Sequence, residues 1–144
     1  MKLNLVLVTF TAFLHFNSFS QADTVVIAEM YFGGGFGSSE NDSIDLRINQ
    51  KTIYHHYKLY SIKSYAKANG EFKIVRVKKR LYALTKKEII YIGTLKKDSL
   101  KIVVVHKSET YDLDWNIQVR KYLICSLLHG KIEFTQLENS PEFL

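Results

Sequence analysis

Residues 111–120 read YDLDWNIQVR, a regular alternation of apolar and polar side chains. An extended strand turns successive side chains to opposite faces, so this pattern places all the apolar groups on one face. The apolar members are Tyr111, Leu113, Trp115, Ile117 and Val119. Such a strand is typical of an antiparallel sheet that packs one face against a core and exposes the other to water.

The same period of two extends along most of the chain. Residues 44–48 alternate in this way, a polar turn follows at residues 49–51, and the β-rich run 53–60 completes a predicted hairpin. Runs rich in β-branched and aromatic residues predict further strands at residues 24–32, 72–77, 81–84, 88–95, 100–106, 122–128 and 131–137. Turn-forming residues stand at 69–70, 97–99 and 129–130, and one short helix is expected at 62–68.

Short strands joined by such turns predict an all-β fold. We expect a single antiparallel β-sandwich, immunoglobulin-like or C2-like in general architecture. A small β-barrel is the alternative, because local sequence pattern does not reveal whether a sheet closes on itself. No repeat or low-complexity linker divides residues 21–144, so we expect one β-sandwich domain there.

The first twenty residues have the pattern of a signal peptide that is cleaved after export. Lys2 precedes an apolar run over residues 3–14, and Ser18 and Ser20 are small residues at the positions before the expected cut. Cleavage is expected after Ser20, with Ala22 as the alternative. The apolar run is shorter than the roughly 20 residues of a membrane span. We therefore expect a periplasmic or extracellular protein without a membrane span.

Composition narrows the possible classes of protein. The chain has 144 residues, of which 47% are hydrophobic and 24% charged, and it has one Pro, so collagen-like and disordered classes are excluded. Its single cysteine, Cys125, rules out an intramolecular disulfide or a multi-cysteine zinc site. Because Cys125 lies in an apolar run, we expect it to be a small buried core residue.

Charge is concentrated in the middle of the chain. Residues 51–107 contain fifteen Lys and Arg against three Asp and Glu, whereas residues 24–50 and 108–144 are both net acidic. A basic block of this kind attracts anions such as an acidic glycan or an acidic protein partner. Lysines that keep the edges of β-sheets soluble are the alternative explanation. Nucleic acid is not an expected partner, because export removes the protein from it.

Residues 53–60 contain the best candidate binding face. Regular alternation groups the side chains of residues 53, 55, 57 and 59 on the core side. The opposite, exposed row would consist of Tyr54, His56, Lys58 and Tyr60. Aromatic rings on a sheet face stack on sugars, and cations neutralise acidic groups. The competing interpretation is that tyrosine is simply common in strands.

Other candidate sites are weaker. Residues 33–37 read GGGFG but are followed by acids, not by the Lys and Ser or Thr of a phosphate loop. Glu40, Asp42 and Asp45 could hold Ca²⁺, although we expect a solvated acidic loop. His55 and His56 would point to opposite faces of a regular strand and could bind one metal ion only across a bulge. We therefore assign no metal and no cofactor.

Catalytic residues are not assigned either. Asp112 and Asp114 share one strand face, about 7 Å apart, which is within the range for an inverting glycosidase. The same pattern is what a solvent-facing strand shows, and no nucleophile motif is present. We expect an exported, non-enzymatic binding or interaction domain. The alternatives are a β-barrel carrier of an apolar ligand and a hydrolase without a recognisable motif; the oligomeric state stays open.

Overall fold

The computed structural model describes residues 23–34, 42–59, 69–94 and 98–141. The expected signal peptide, Tyr60 and the helix expected at 62–68 lie outside these residues. The described chain forms ten strands: β1 (Thr24–Gly34), β2 (Ser43–Ile48), β3 (Lys51–Lys58), β4 (Asn69–Val77), β5 (Arg80–Leu84), β6 (Ile89–Thr94), β7 (Ser99–His106), β8 (Glu109–Asn116), β9 (Tyr122–Leu128) and β10 (Lys131–Leu137). Each expected strand is present, with small shifts at the ends.

The strands form two sheets that pack face to face. One sheet has the order β10-β9-β1-β4-β5-β6 and the other the order β3-β2-β7-β8. The predicted β-sandwich is confirmed. The sheets do not close on themselves, so the barrel alternative for the fold is wrong. Among the described residues, no helix has the length and apolar character needed to cross a membrane.

One strand pairing departs from the antiparallel expectation. Strand β1 runs parallel to β9, with Met30 opposite Leu123 and Phe32 opposite Cys125, whereas the other pairings in both sheets are antiparallel. Parallel neighbours cannot be joined by a short hairpin, because the chain must cross over between them. Here the crossover consists of all the strands between β1 and β9.

The inner faces of both sheets form one core. Its largest fully buried side chains are Trp115, Phe32, Phe72 and Met30. Strand β7 alternates buried and less buried residues, as the period of two predicts. The alternation in residues 111–120 does not continue to the end, because β8 stops at Asn116 and a turn follows, in which Val119 is 53% exposed. The Trp115 Nε1–H group donates a 2.6 Å hydrogen bond to the Arg120 carbonyl and closes this turn against the core.

Tight turns connect most neighbouring strands. Asn49 and Gln50, between β2 and β3, both have positive φ, as do His129 and Gly130 between β9 and β10. A right-handed twisted hairpin favours such turns, so these two predicted connections are confirmed. The turn expected at residues 69–70 is wrong, because Asn69 and Gly70 begin strand β4.

Cys125 is fully buried, as the sequence predicts. Burial raises the pKa of its thiol to about 12. Because the thiolate is the reactive form, we expect the folded protein not to react with an aromatic disulfide reagent at pH 8, while the denatured protein releases one equivalent of thiol. The absorbance of the aromatic thiol that the reagent releases measures the reaction of the folded and of the denatured protein. Rapid reaction of the folded protein would contradict this packing of β9.

Candidate functional site

Strand β3 lies at one edge of the four-stranded sheet and pairs with β2 through an irregular register. Ile44 faces Tyr57 and Leu46 faces Tyr54. One residue lies between Ile44 and Leu46 on β2, but two residues lie between Tyr54 and Tyr57 on β3. One residue of β2, Asp45, therefore lies opposite two residues of β3, His55 and His56, and this is a β-bulge.

Aromatic packing accounts for the bulge. Directly paired residues share a face of the sheet, so the buried Ile44 and Leu46 draw their partners Tyr57 and Tyr54 to the core side. There Tyr54 and Tyr57 lie 4.6 Å apart between ring centroids. Tyr54 packs against Phe32 and Phe72, and Tyr57 packs against Phe32. We call these four rings the aromatic cluster.

Tyr54 is strongly affected by this packing. Its pKa rises to about 12, chiefly because burial disfavours the phenolate, with further contributions from Tyr57 and Glu88. The expected exposed row is thus wrong for Tyr54, whose ring is half-buried. It is also wrong in placing His55 on the core side, because that side chain is exposed.

The extra residue of the bulge is held by a carboxylate. His56 has a left-handed backbone, with φ of 50°, a conformation that histidine adopts more readily than most residues. Its N–H group donates a 2.7 Å hydrogen bond to Asp45 Oδ1. This hydrogen bond is the main reason that the pKa of Asp45 lies below its ordinary value of 3.8, and the nearby imidazoles of His55 and His56 lower it further.

Both imidazoles consequently stand beside the same carboxylate. His55 Nδ1 lies 3.0 Å from Asp45 Oδ1 and His56 Nδ1 lies 3.8 Å from it. The two rings are 4.0 Å apart between centroids, and 67% and 74% of the respective side chains are exposed. Neighbouring histidines point to opposite faces in a regular strand. Because of the bulge, His55 and His56 instead lie side by side. We call these three residues the Asp45–His55–His56 cluster.

A groove runs along the same strand. It has a volume of about 570 Å³ and is lined by residues 53–58 of β3 and residues 85–88 between β5 and β6. It lies where β3 and β6, the edge strands of the two sheets, approach each other. Of the predicted binding residues, Tyr54, His56 and Lys58 line this β3 groove, while Tyr60 lies outside the described residues.

The second wall of the groove is a compact turn that presents lysines. The Thr85 Oγ1 atom accepts hydrogen bonds from the N–H groups of Lys87 (3.3 Å) and Glu88 (3.0 Å). The Thr85 N–H group in turn donates to the Glu88 carbonyl. This Ser/Thr-type turn exposes Lys86 and Lys87 at the rim. Sequence reasoning missed this turn as a part of the site, because only the fold brings it beside β3.

Several other basic residues of the described chain lie away from the groove. Lys78, Lys79 and Arg80 are exposed at the opposite end of β5 from the residue 85–88 turn. Lys101 is exposed on β7 and pairs with Asp112 at 4.0 Å. The described part of the basic block is therefore distributed over both ends of the sandwich.

The acidic candidates lie in different environments. Asp42 is 3% exposed and accepts contacts from His106 Nε2 (3.2 Å) and Lys107 Nζ (2.9 Å), so it is not the solvated acidic residue expected from the sequence. It joins the start of β2 to the end of β7. Asp112 and Asp114 are exposed on edge strand β8 and do not line the β3 groove.

Comparisons of this chain with protein-family models, with curated proteins and with solved structures each found no match.

The bulge predicts a difference between two substitutions of Asp45. Asp45→Ala removes the acceptor of the His56 N–H group and should lower the free energy of unfolding by about 1 kcal/mol. Asp45→Asn keeps an acceptor oxygen and should therefore lower the free energy of unfolding by less. Because folding lowers the pKa of Asp45, the carboxylate stabilises the protein above pH 3.8, and this contribution is lost as the pH falls below that value.

Urea unfolding at pH 7 and pH 3 measures both effects. The difference between the unsubstituted protein and Asp45→Ala should narrow at pH 3. Equal stability of the two proteins at pH 7 would show that the carboxylate does not support the bulge.

Proposed function

We propose that this protein is an exported, non-enzymatic binding domain that takes an acidic glycan in the β3 groove. The observation that carries the proposal is the combination, in one groove, of two tyrosines with three exposed lysines: Tyr54, Tyr57, Lys58, Lys86 and Lys87. The N-terminal pattern of residues 1–20 supports export, and acidic glycans are abundant outside cells and in bacterial envelopes.

The two kinds of side chain serve different parts of such a ligand. Tyrosine rings offer apolar faces on which the C–H groups of a sugar ring pack, and their hydroxyl groups provide hydrogen bonds. Lysine ammonium groups attract the carboxylates or sulfates of the glycan. Among the described residues that line the groove, Glu88 is the single acid, so their charge favours an anionic ligand.

Charge alone does not distinguish an acidic glycan from an acidic protein segment. The rings favour the glycan, because the apolar surface of Tyr54 and Tyr57 beside exposed cations suits the sugar rings and acidic groups of such a ligand. An acidic peptide is the second outcome that the experiment distinguishes. Nucleic acid and lipid membranes are not proposed as partners.

The proposal is tested by titrating oligomers of a uronic acid into the purified protein in a calorimeter. Neutral oligosaccharides of equal length and a poly-glutamate peptide are titrated in parallel. We expect binding of the uronic acid oligomer, which weakens with salt because the contacts are ionic. Replacing both Lys86 and Lys87 with Gln should weaken it about fivefold or more, because two ionic contacts are lost.

A matched control is available at the other end of β5. Lys78→Gln combined with Lys79→Gln makes the same change of charge in another exposed turn between neighbouring strands, and binding should be nearly unchanged. Equal weakening by both pairs would show attraction to overall charge and contradict binding in the groove. Binding of poly-glutamate without binding of the uronic acid oligomer would replace the glycan with an acidic protein partner.

A further inference from the structure

We infer that Asp45, His55 and His56 bind a divalent transition metal ion of the zinc type. The three side chains present their ligand atoms within 4.8 Å of one another. This inference rests on the β-bulge and not on the glycan proposed for the β3 groove, although His55 and His56 also line that groove.

The separations between the ligand atoms suit a tetrahedral ion. Bonds of about 2.0–2.1 Å to a tetrahedral zinc ion place its ligand atoms about 3.3 Å apart. The distances from Asp45 Oδ1 to His55 Nδ1 and His56 Nδ1 are 3.0 and 3.8 Å, one on each side of that value. Both imidazoles are exposed, so rotation about their side-chain bonds adjusts these separations.

The donor set selects the class of ion. Two imidazole nitrogens and one carboxylate oxygen suit Zn²⁺, Cu²⁺ and Ni²⁺, whereas Ca²⁺ and Mg²⁺ prefer a shell of oxygen atoms. Three protein ligands leave a fourth position for water or for an anionic group. Since 67% of the His55 side chain and 74% of the His56 side chain are exposed, that position is accessible from solvent.

The fold organises the three ligands before an ion arrives. The aromatic cluster fixes Tyr54 and Tyr57 on the core side and so obliges both histidines to lie opposite Asp45. The His56 N–H group donates a hydrogen bond to the Asp45 carboxylate and orients it, as the outer-shell hydrogen bonds of metal sites do. A preorganised set of ligands loses less conformational entropy on binding than ligands on a free loop.

Calorimetric titration of ZnCl₂ into the untagged, chelator-treated protein at pH 7.5 tests the inference. We expect one ion per chain and tighter binding of Cu²⁺ than of Zn²⁺, with no binding of Ca²⁺. His55→Gln and His56→Asn should each weaken zinc binding at least about tenfold, since even outer-shell substitutions have effects of this size. Asparagine is chosen at position 56 because it tolerates the left-handed backbone.

His129→Asn is the matched control. His129 is also exposed and also has a left-handed backbone, with φ of 49°, but it lies in the β9–β10 turn away from the cluster. The His129→Asn variant should bind zinc as tightly as the unsubstituted protein. Asp45→Asn provides a further variant, which keeps an acceptor for the bulge but loses the anionic ligand. Circular dichroism is used to check that each variant is folded.

Two results would overturn the inference: the absence of one-to-one zinc binding, or equal weakening by His129→Asn and His56→Asn. Co²⁺ gives a second readout, because tetrahedral coordination produces intense visible absorption that His55→Gln should abolish. Repeating the glycan titration with chelator present separates the two proposals. Glycan binding that persists under chelation while zinc fails to bind would leave only the glycan proposal standing.

Discussion

The hydrogen bond from the His56 N–H group to the Asp45 carboxylate stabilises the bulged pairing of β3 with β2, and the candidate site depends on this pairing. The carboxylate accepts the hydrogen bond of the extra backbone N–H group that the bulge introduces. The aromatic cluster requires the extra residue, because two tyrosines three positions apart must both reach the core. A regular strand would instead bury His55, whose imidazole has no polar partner among the apolar side chains there.

The bulge also explains why a single edge strand supplies two different chemistries. The rings of Tyr54 and Tyr57 point inward to the aromatic cluster and form one wall of the β3 groove. The imidazoles of His55 and His56 turn outward beside the Asp45 carboxylate. Bulges are common at sheet edges, where they keep one strand from pairing with another chain. In this protein the same irregularity brings together side chains that regular alternation would separate. The groove and the Asp45–His55–His56 cluster are therefore neighbours on the same strand.

Much of the fold could be predicted from the sequence because a period of two is a local signal. The alternation in residues 111–116 and the turns at 49–50 and 129–130 each depend on neighbouring residues alone. The parallel pairing of β1 with β9 could not be predicted, because it joins strands about ninety residues apart. The bulge had a signal that alternation overlooked: Tyr54 and Tyr57 are three apart, opposite core residues Ile44 and Leu46, which are two apart.

The most direct test of this account is an NMR measurement of β3 in solution. We predict nuclear Overhauser effects between the ring protons of His55 and His56, and a ³J coupling between the His56 amide and α protons that corresponds to a positive φ. We also predict a contact between the rings of Tyr54 and Tyr57. Effects that connect the His55 ring to Ile44 and Leu46, with an extended His56 backbone, would show a regular strand. That result would contradict both the bulge and the site built on it.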